Sequence, residues 1–166
     1  TTEEAFNLLE NLLRWTRNQN GKTKIYATLF NLTPVARQVV SLFSAIANAK
    51  EIELINRIEG KFDIFADEDM IKTVLRNLIS NAIKFTYTGG QVELSLADSG
   101  DYWTIYVKDN GKGIPKDLQT HLLKSDEYIT TYGTHNEKGS GLGLILCRDF
   151  IRMNKGKLHF CSQEGI

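Results

Sequence analysis

The alternation of two apolar periodicities along the chain constrains its fold more than any other feature. Helix-like spacing predicts helices over residues 33–49, from residue 68 to a stop at residues 88–90, and over residues 141–153. Strand-like stretches are predicted at residues 24–29, 51–55, 61–66, 91–97, 102–107 and 157–162. Turns at Glu59-Gly60 and at residues 98–101 predict two hairpins. This order predicts an α+β fold with a layer of helices on one face of a sheet.

A further helix is predicted at the start of the chain. Its apolar residues recur with helical spacing and form one stripe, at Ala5, Leu8, Leu9, Leu12 and Leu13. Such a stripe requires a partner helix. The polar break Asn18-Gln19-Asn20-Gly21 predicts a boundary, with residues 1–20 as helix and linker and residues 21–166 as one domain. A chain of 166 residues is long enough for one core of that kind.

The overall charge excludes one class of partner. Lys plus Arg and Asp plus Glu number 20 each, so no net field attracts polyanions and nucleic acid is not an expected partner. No apolar run approaches the roughly 20 residues that cross a bilayer. Cys147 and Cys161 stand in apolar contexts without a CxxC pair, which predicts two reduced thiols in the core.

The helix that follows Asp67 carries the first candidate motif. Asn77, Asn81 and Lys84 are spaced i, i+4 and i+7 and therefore share one helix face. Carboxamide oxygens are hard ligands that suit Mg²⁺, and a lysine one turn further on can neutralise a phosphate. Taken alone, the motif is explained more simply as a solvated helix face.

The second motif is Asp109-Asn110-Gly111-Lys112-Gly113-Ile114, at the end of a predicted strand. The glycines allow close approach of a flat ligand, and the carboxylate of Asp109 can accept a hydrogen bond from an exocyclic amino group such as that of adenine. An ordinary turn explains Asn110-Gly111 equally well without any ligand.

The third motif is Gly139-Ser140-Gly141-Leu142-Gly143-Leu144, which opens an apolar helix. It is not a dinucleotide fingerprint, because no strand precedes it and the last glycine of GxGxxG is missing. A loop that runs into a helix N-terminus can bind an anion through unpaired N–H groups. A glycine hinge without a ligand is the alternative.

The three motifs together, in this order, are far more specific than any one of them. LRNLISNAIKFT, DNGKGI and EKGSGLGL resemble the N, G1 and G2 boxes of the ATP-binding domain of sensor histidine kinases. NLLENLLRWTRNQ resembles the end of the second helix of the dimerisation and phosphotransfer domain in that family. The resemblance implies the Bergerat fold, a two-layer α/β sandwich with helices over one face of a mixed sheet, plus an N-terminal helix and a truncated last strand.

The resemblance also implies roles for individual residues. Asn81 corresponds to the Mg²⁺ ligand, and Asn77 and Lys84 to the supporting asparagine and the basic residue near the phosphates, which makes both candidate catalytic residues. Asp109 corresponds to the carboxylate that reads the adenine amino group. The remaining candidate ATP-binding residues are Phe85, Gly111, Gly113, Ile114, Gly139, Ser140, Gly141, Leu142 and Gly143.

The implied function is that of a protein-histidine kinase module in two-component signalling. It would bind ATP and Mg²⁺ and donate the γ-phosphoryl group to a histidine on a dimerisation helix outside this sequence. The implied partners are that helix, a response-regulator receiver domain indirectly, and a second copy in a full-length homodimer. The implied location is cytoplasmic, on the inner side of a membrane-anchored sensor.

Two alternatives differ in what happens to ATP. An ATPase or serine kinase of this fold carries a glutamate as general base where this chain has Asn77, and an amide cannot accept that proton. A degenerate ATP-binding scaffold is the second alternative, encouraged only by Leu123 where the family often has a lid phenylalanine. His121, His135 and His159 are expected to be ordinary polar residues, and Asp67 a helix cap.

Overall fold

The computed structural model of the chain describes residues 6, 9–10, 12–14, 16–17, 20–21, 23–122, 133–135 and 141–165. The helices are α1 (Leu32–Ala49), α2 (Glu68–Phe85), α3 (Lys116–Gln119) and α4 (Leu142–Met153). The strands are β1 (Thr28–Asn31), β2 (Glu53–Asn56), β3 (Asp63–Ala66), β4 (Gln91–Asp98) and β5 (Trp103–Asp109). Each described residue between 6 and 17 is helical as well, which agrees with the N-terminal helix predicted there.

The strands form a mixed sheet, as predicted, beside a separate two-stranded ladder. In the three-stranded sheet, β4 lies between β2, which is parallel to it, and β5, which is antiparallel. The hairpin predicted around residues 98–101 is confirmed as β4 and β5. The hairpin predicted at Glu59-Gly60 is wrong. Arg57 extends the ladder of β2 by donating its N–H to Leu94 O, and β3 pairs instead with β1.

Helix α2 begins as the sequence predicts, whereas α1 does not. The carboxylate of Asp67 accepts a hydrogen bond from Met70 N at 3.1 Å and caps α2. For α1 the predicted cap was Thr33, but the structure uses Asn31. The side-chain oxygen of Asn31 accepts from both Thr33 N and Phe62 N, so the cap also joins the helix to a segment 31 residues away.

Two apolar clusters hold the helices in place. The larger cluster packs α1 and α2 on the inner face of the sheet, where Val92 and Leu94 are fully buried. The smaller cluster joins α2 to α4 through Met70, Val74, Leu146, Cys147 and Phe150. Helix α2 therefore packs against α1 and the sheet through one cluster and against α4 through the other.

Three predictions at the ends of the domain are corrected by the structure. Strand β1 starts at Thr28, four residues later than predicted. Residues 157–162 form no strand, because the structure records no ladder partner for them among the described residues. Cys147 is buried, but Cys161 is exposed and does not belong to the core. The apolar residues next to Cys161 in the sequence therefore do not indicate that Cys161 itself is buried.

Candidate nucleotide-binding site

Asn77, the first residue of the first motif on α2, faces the start of α4. Asn77, Asn81 and Lys84 are half-buried. The Asn77 side chain donates Nδ2–H to Thr73 O at 2.9 Å, and a Cβ built on Gly143 would lie 2.9 Å from Asn77 Oδ1. Any side chain at position 143 would therefore displace the Asn77 amide from its observed position. The third motif is therefore in direct contact with the first, although the two are more than 60 residues apart in the sequence.

Helix α4 begins directly after a glycine. Gly141 occupies the N-cap position with φ of 72° and has no side chain that could cap the helix. Leu142, the first helical residue, is buried and holds this end against the protein. The first turn of a helix carries N–H groups that have no acceptor inside the helix, and together with the helix dipole they favour an anion at this place. Gly139 and Ser140, also predicted to bind the ligand, lie outside the described residues.

The second motif packs on the last turn of α2. Asp109 is exposed at the end of β5, and its Oδ1 accepts a hydrogen bond from Gly111 N at 2.9 Å. Oδ2 has no hydrogen-bond partner within the described part of the chain. Gly111 is buried, and a Cβ on it would overlap the carbonyl oxygen of Phe85. Gly111 is thus explained by close contact between the loop and α2, whereas the sequence had suggested access for a base.

The rest of this loop is held by residues that follow α4. Gly113 has φ of 71°, and a Cβ there would overlap Gln163 O. Ile114 N donates to Ser162 Oγ at 2.8 Å, and Gly165 N donates to Lys112 O at 3.1 Å. These contacts fix the loop from its outer side and leave Asp109 at its exposed edge.

Two cations lie on the Phe85 ring at the junction of α2 and the loop. Lys84 Nζ and Lys112 Nζ are each 5.2 Å from the ring centroid, within the range of a cation–π interaction. Lys84 is predicted from the sequence to lie near the phosphates, whereas Lys112 was missed although it stands inside the second motif. Two positive charges on one aromatic ring suit a polyanionic ligand.

Two further residues that contact the end of α2, Lys50 and Thr134, were not identified from the sequence. Lys50 donates Nζ–H to the carbonyl oxygens of Ile83 and Lys84. Thr134 donates its N–H to Lys84 O and its hydroxyl to Thr86 O. A lysine at the end of a predicted helix is a known signal for an interaction with carbonyls, but its usual partner is its own helix. Nothing in the sequence indicated that Lys50 would instead bind the carbonyl oxygens of α2.

The histidines are all at exposed positions. His121 follows α3, His159 follows α4, and His135 Nε2 lies 3.1 Å from Thr88 Oγ1. The described residues contain no group of three or more His, Cys, Asp and Glu side chains that could hold a metal ion. None of the helices in the described ranges has the length and apolar character needed to span a bilayer.

Comparisons with known proteins agree with the geometry. The family described as histidine kinase-, DNA gyrase B- and HSP90-like ATPase matches residues 66–166. The adaptive-response sensory kinase SasA of Crocosphaera subtropica is 29% identical over 95% of this chain and 41% of its own length. The circadian input-output histidine kinase CikA of Synechococcus elongatus is 30% identical over 98% of this chain and 22% of its own length. The chain thus spans less than half of these relatives.

Solved structures give the same result. The nucleotide-free catalytic domain of the histidine kinase ThkA superposes with a TM-score of 0.66 at 30% identity, over 77% of this chain and 82% of that one. Full-length ShkA in complex with AMPPNP superposes with 0.71 at 25% identity, over 91% and 31%. AdeS of Acinetobacter baumannii, at 23% identity and 0.76 over 98% and 74%, shares the fold. CikA, ThkA and AdeS are histidine kinases. The chain belongs to the family of histidine kinase-, DNA gyrase B- and HSP90-like ATPases.

Proposed function

We propose that this chain binds ATP with Mg²⁺ and donates the γ-phosphoryl group to a histidine on a dimerisation helix outside this sequence. The observation that carries the proposal is the convergence of all three motifs on α2. Gly143 approaches Asn77 at one end of the motif face, and Gly111 approaches Phe85 at the other. If the second motif were only a turn and the third only a hinge, nothing would require both of them to contact α2.

The residues at this convergence suit the parts of ATP. The outward oxygen of Asp109 can accept a hydrogen bond from the adenine amino group. Lys84, Lys112 and the N–H groups at the start of α4 suit the phosphates. Phe85, Gly111, Gly113 and Ile114 would shape the base side of the site, and Gly139 to Gly143 the phosphate side.

Asn81 is the proposed ligand of Mg²⁺. It is half-buried on the motif face of α2, one turn after Asn77, whose own amide already donates to Thr73 O. Mg²⁺ is usually held by about one or two protein oxygens together with substrate phosphates and waters, so a single carboxamide fits that role. Bound there, the ion would neutralise charge that develops on the phosphates.

The identity of the residue at position 77 favours transfer to histidine over hydrolysis. A carboxylate at this place could activate water or a hydroxyl as a general base, but Asn77 cannot accept a proton. A neutral imidazole with its pKa of about 6.5 needs little activation as a nucleophile. The domain then supplies positioning and charge neutralisation, which account for most of the catalysis in phosphoryl transfer.

The N-terminal segment supports the proposed partner. Exposed apolar side chains occur along it at Phe6, Leu9, Leu12 and Leu13. We assign this segment to the dimerisation helix, which in a homodimer of the full-length protein would contribute to a four-helix bundle. A response-regulator receiver domain would take the phosphoryl group from the histidine afterwards, in the cytoplasm, where ATP is available.

Calorimetry with MgATP tests the adenine assignment. Asp109→Asn replaces a charged acceptor by a neutral one and should weaken ATP binding at least about tenfold. Asp98→Asn is the matched control, because Asp98 Oδ1 accepts from Gly100 N at 2.9 Å just as Asp109 Oδ1 accepts from Gly111 N. The control should bind ATP like the original chain. Equal affinity of all three proteins would refute the assignment.

A further inference from the structure

The last turn of α2 uses every one of its carbonyl groups. A helix leaves its last four C=O groups without partners inside the helix. In α2, Ala82 O accepts from Thr86 Oγ1 and Phe85 O accepts from Lys112 N. The other two carbonyl oxygens, Ile83 O and Lys84 O, each accept a hydrogen bond from Lys50 Nζ, at 3.0 and 2.9 Å. The end of the motif helix is therefore fixed largely from outside.

Lys50 is an unusual residue to find in this role. It caps the C-terminus of α1 and is only 7% exposed, so its ammonium group lies inside the protein. Removing such a charge from water is costly unless it is well bonded. Two carbonyl oxygens at the negative end of the α2 dipole give the ammonium a favourable environment. The cation and the helix end stabilise each other.

The carbonyl of Lys84 also connects Lys50 to the segment before the third motif. Thr134 donates its N–H to Lys84 O at 3.0 Å and its hydroxyl to Thr86 O at 2.8 Å. One oxygen thus accepts from α1 and from residues 133–135 at once. Lys84 and Phe85, whose side chains are candidate ligands of ATP, belong to the same turn.

We propose that Lys50 is a positioning residue for the nucleotide site. Its ammonium group fixes the last turn of α2 and, through the shared Lys84 carbonyl, the point where Thr134 docks. The orientation of Lys84 and Phe85 toward ATP then depends on a side chain that does not contact the ligand. This inference rests on the proposed ATP binding, and it assigns a role to a residue that none of the three motifs contains.

Lys50→Met tests the proposal, because it keeps most of the side-chain volume and removes the charge and the donors. Affinity for MgATP, measured by calorimetry well below the unfolding midpoint, should fall about tenfold. The matched control is Val39→Ala, which destabilises the same helix at a buried position roughly 16 Å from Lys50 along the axis. The control should bind ATP normally when folded. With a supplied acceptor domain, Lys50→Met should raise KM for ATP and leave kcat within about twofold.

Thr134→Val carries the test from the other side and adds little risk to folding, because it removes one hydroxyl at a half-buried position. It should weaken ATP binding about threefold, and combined with Lys50→Met the loss should be less than the product of the two. Thr104→Val is its control, because Thr104 lies near the start of β5, whereas the candidate ligand Asp109 lies at its end. Unchanged ATP affinity in a folded Lys50→Met, or in Thr134→Val if Lys50→Met does not fold, overturns the inference. Failure of the original chain to bind MgATP would instead overturn the proposed function.

Discussion

The hairpin of β4 and β5 carries the same local turn chemistry at both of its ends, and only one end is a candidate site. Asp98 Oδ1 accepts from Gly100 N, and Asp109 Oδ1 accepts from Gly111 N, each at 2.9 Å. Gly100 has φ of 86°, and a Cβ on it would meet nothing within 4 Å. Gly111 has no such backbone requirement, yet its missing side chain leaves room for Phe85 O. Gly100 is required by its backbone conformation, whereas Gly111 is required by the close packing against α2.

Replacing each glycine by alanine should separate these two roles most strongly. Gly111→Ala forces the loop away from the end of α2 and should lower the free energy of unfolding by about 3 kcal/mol, as overpacking at a buried site does. Gly100→Ala costs only the strain of a left-handed conformation, about 1 kcal/mol. Urea unfolding of both variants gives the comparison. A loss in Gly111→Ala no larger than in Gly100→Ala would contradict the account of Gly111.

Phosphoryl transfer should also depend on Asp109 at one end of the hairpin and not on Asp98 at the other. Incubated alone with labelled ATP, the chain should gain no stable phosphohistidine, because none of its histidines lies on a bundle helix that can meet the γ-phosphate in line. A supplied domain with an acceptor histidine should become labelled. Asp98→Asn should preserve this transfer, and Asp109→Asn should slow it about tenfold at subsaturating ATP.

Two results of this assay would count against a histidine kinase. One is acid-labile label mapped to His121, His135 or His159 of the chain itself. The other is rapid ATP hydrolysis that disappears when Asn77 is replaced, which would move the protein among the ATPases of the same family.

The smallest effect near neutral pH is expected for a second matched pair, the two cysteines. Burial raises the pKa of the Cys147 thiol from 9.0 to about 12, whereas Cys161 is exposed. A thiol reagent at pH 8 should therefore label one cysteine in the native chain and two in urea, counted by mass spectrometry. Labelling of Cys147 at the rate of Cys161 in the native chain would contradict its burial.

The sign of the pH effect follows from the same shift. Above pH 9 the unfolded chain loses the Cys147 proton while the folded chain keeps it. The unfolded state then binds fewer protons, so stability falls as pH rises between 9 and about 12, by roughly 1 kcal/mol per unit. Cys147→Ala should remove this slope in urea unfolding curves, apart from what other groups contribute.

Much of the fold was predictable where a residue acts on its near neighbours. Asp67 caps α2 because its side chain reaches an N–H three residues later. The hairpin of β4 and β5 follows from alternating residues on both sides of a four-residue turn. The candidate motifs were also readable, since their spacing along the chain is the spacing on one helix or within one loop.

The errors concern residues whose partners are distant in the sequence. Thr33 followed by Pro34 matches a local signal for a helix start, but the structure uses Asn31, which also accepts from Phe62 N. Strand β2 lies near β3 in sequence and pairs with β4 in space. Cys161 was placed in the core on its apolar neighbours alone and is exposed.

By itself, then, the sequence determined which segments are helices, which of them carry amides, cations and glycines, and the family these motifs resemble. The tertiary structure alone decided what those residues touch: Gly111 against Phe85, Gly143 against Asn77, and Lys50 against the end of α2. The physical reason is range. Periodicity and capping act over about four residues, whereas the fit between two backbones or the burial of an ammonium group depends on where elements far apart in the sequence come together.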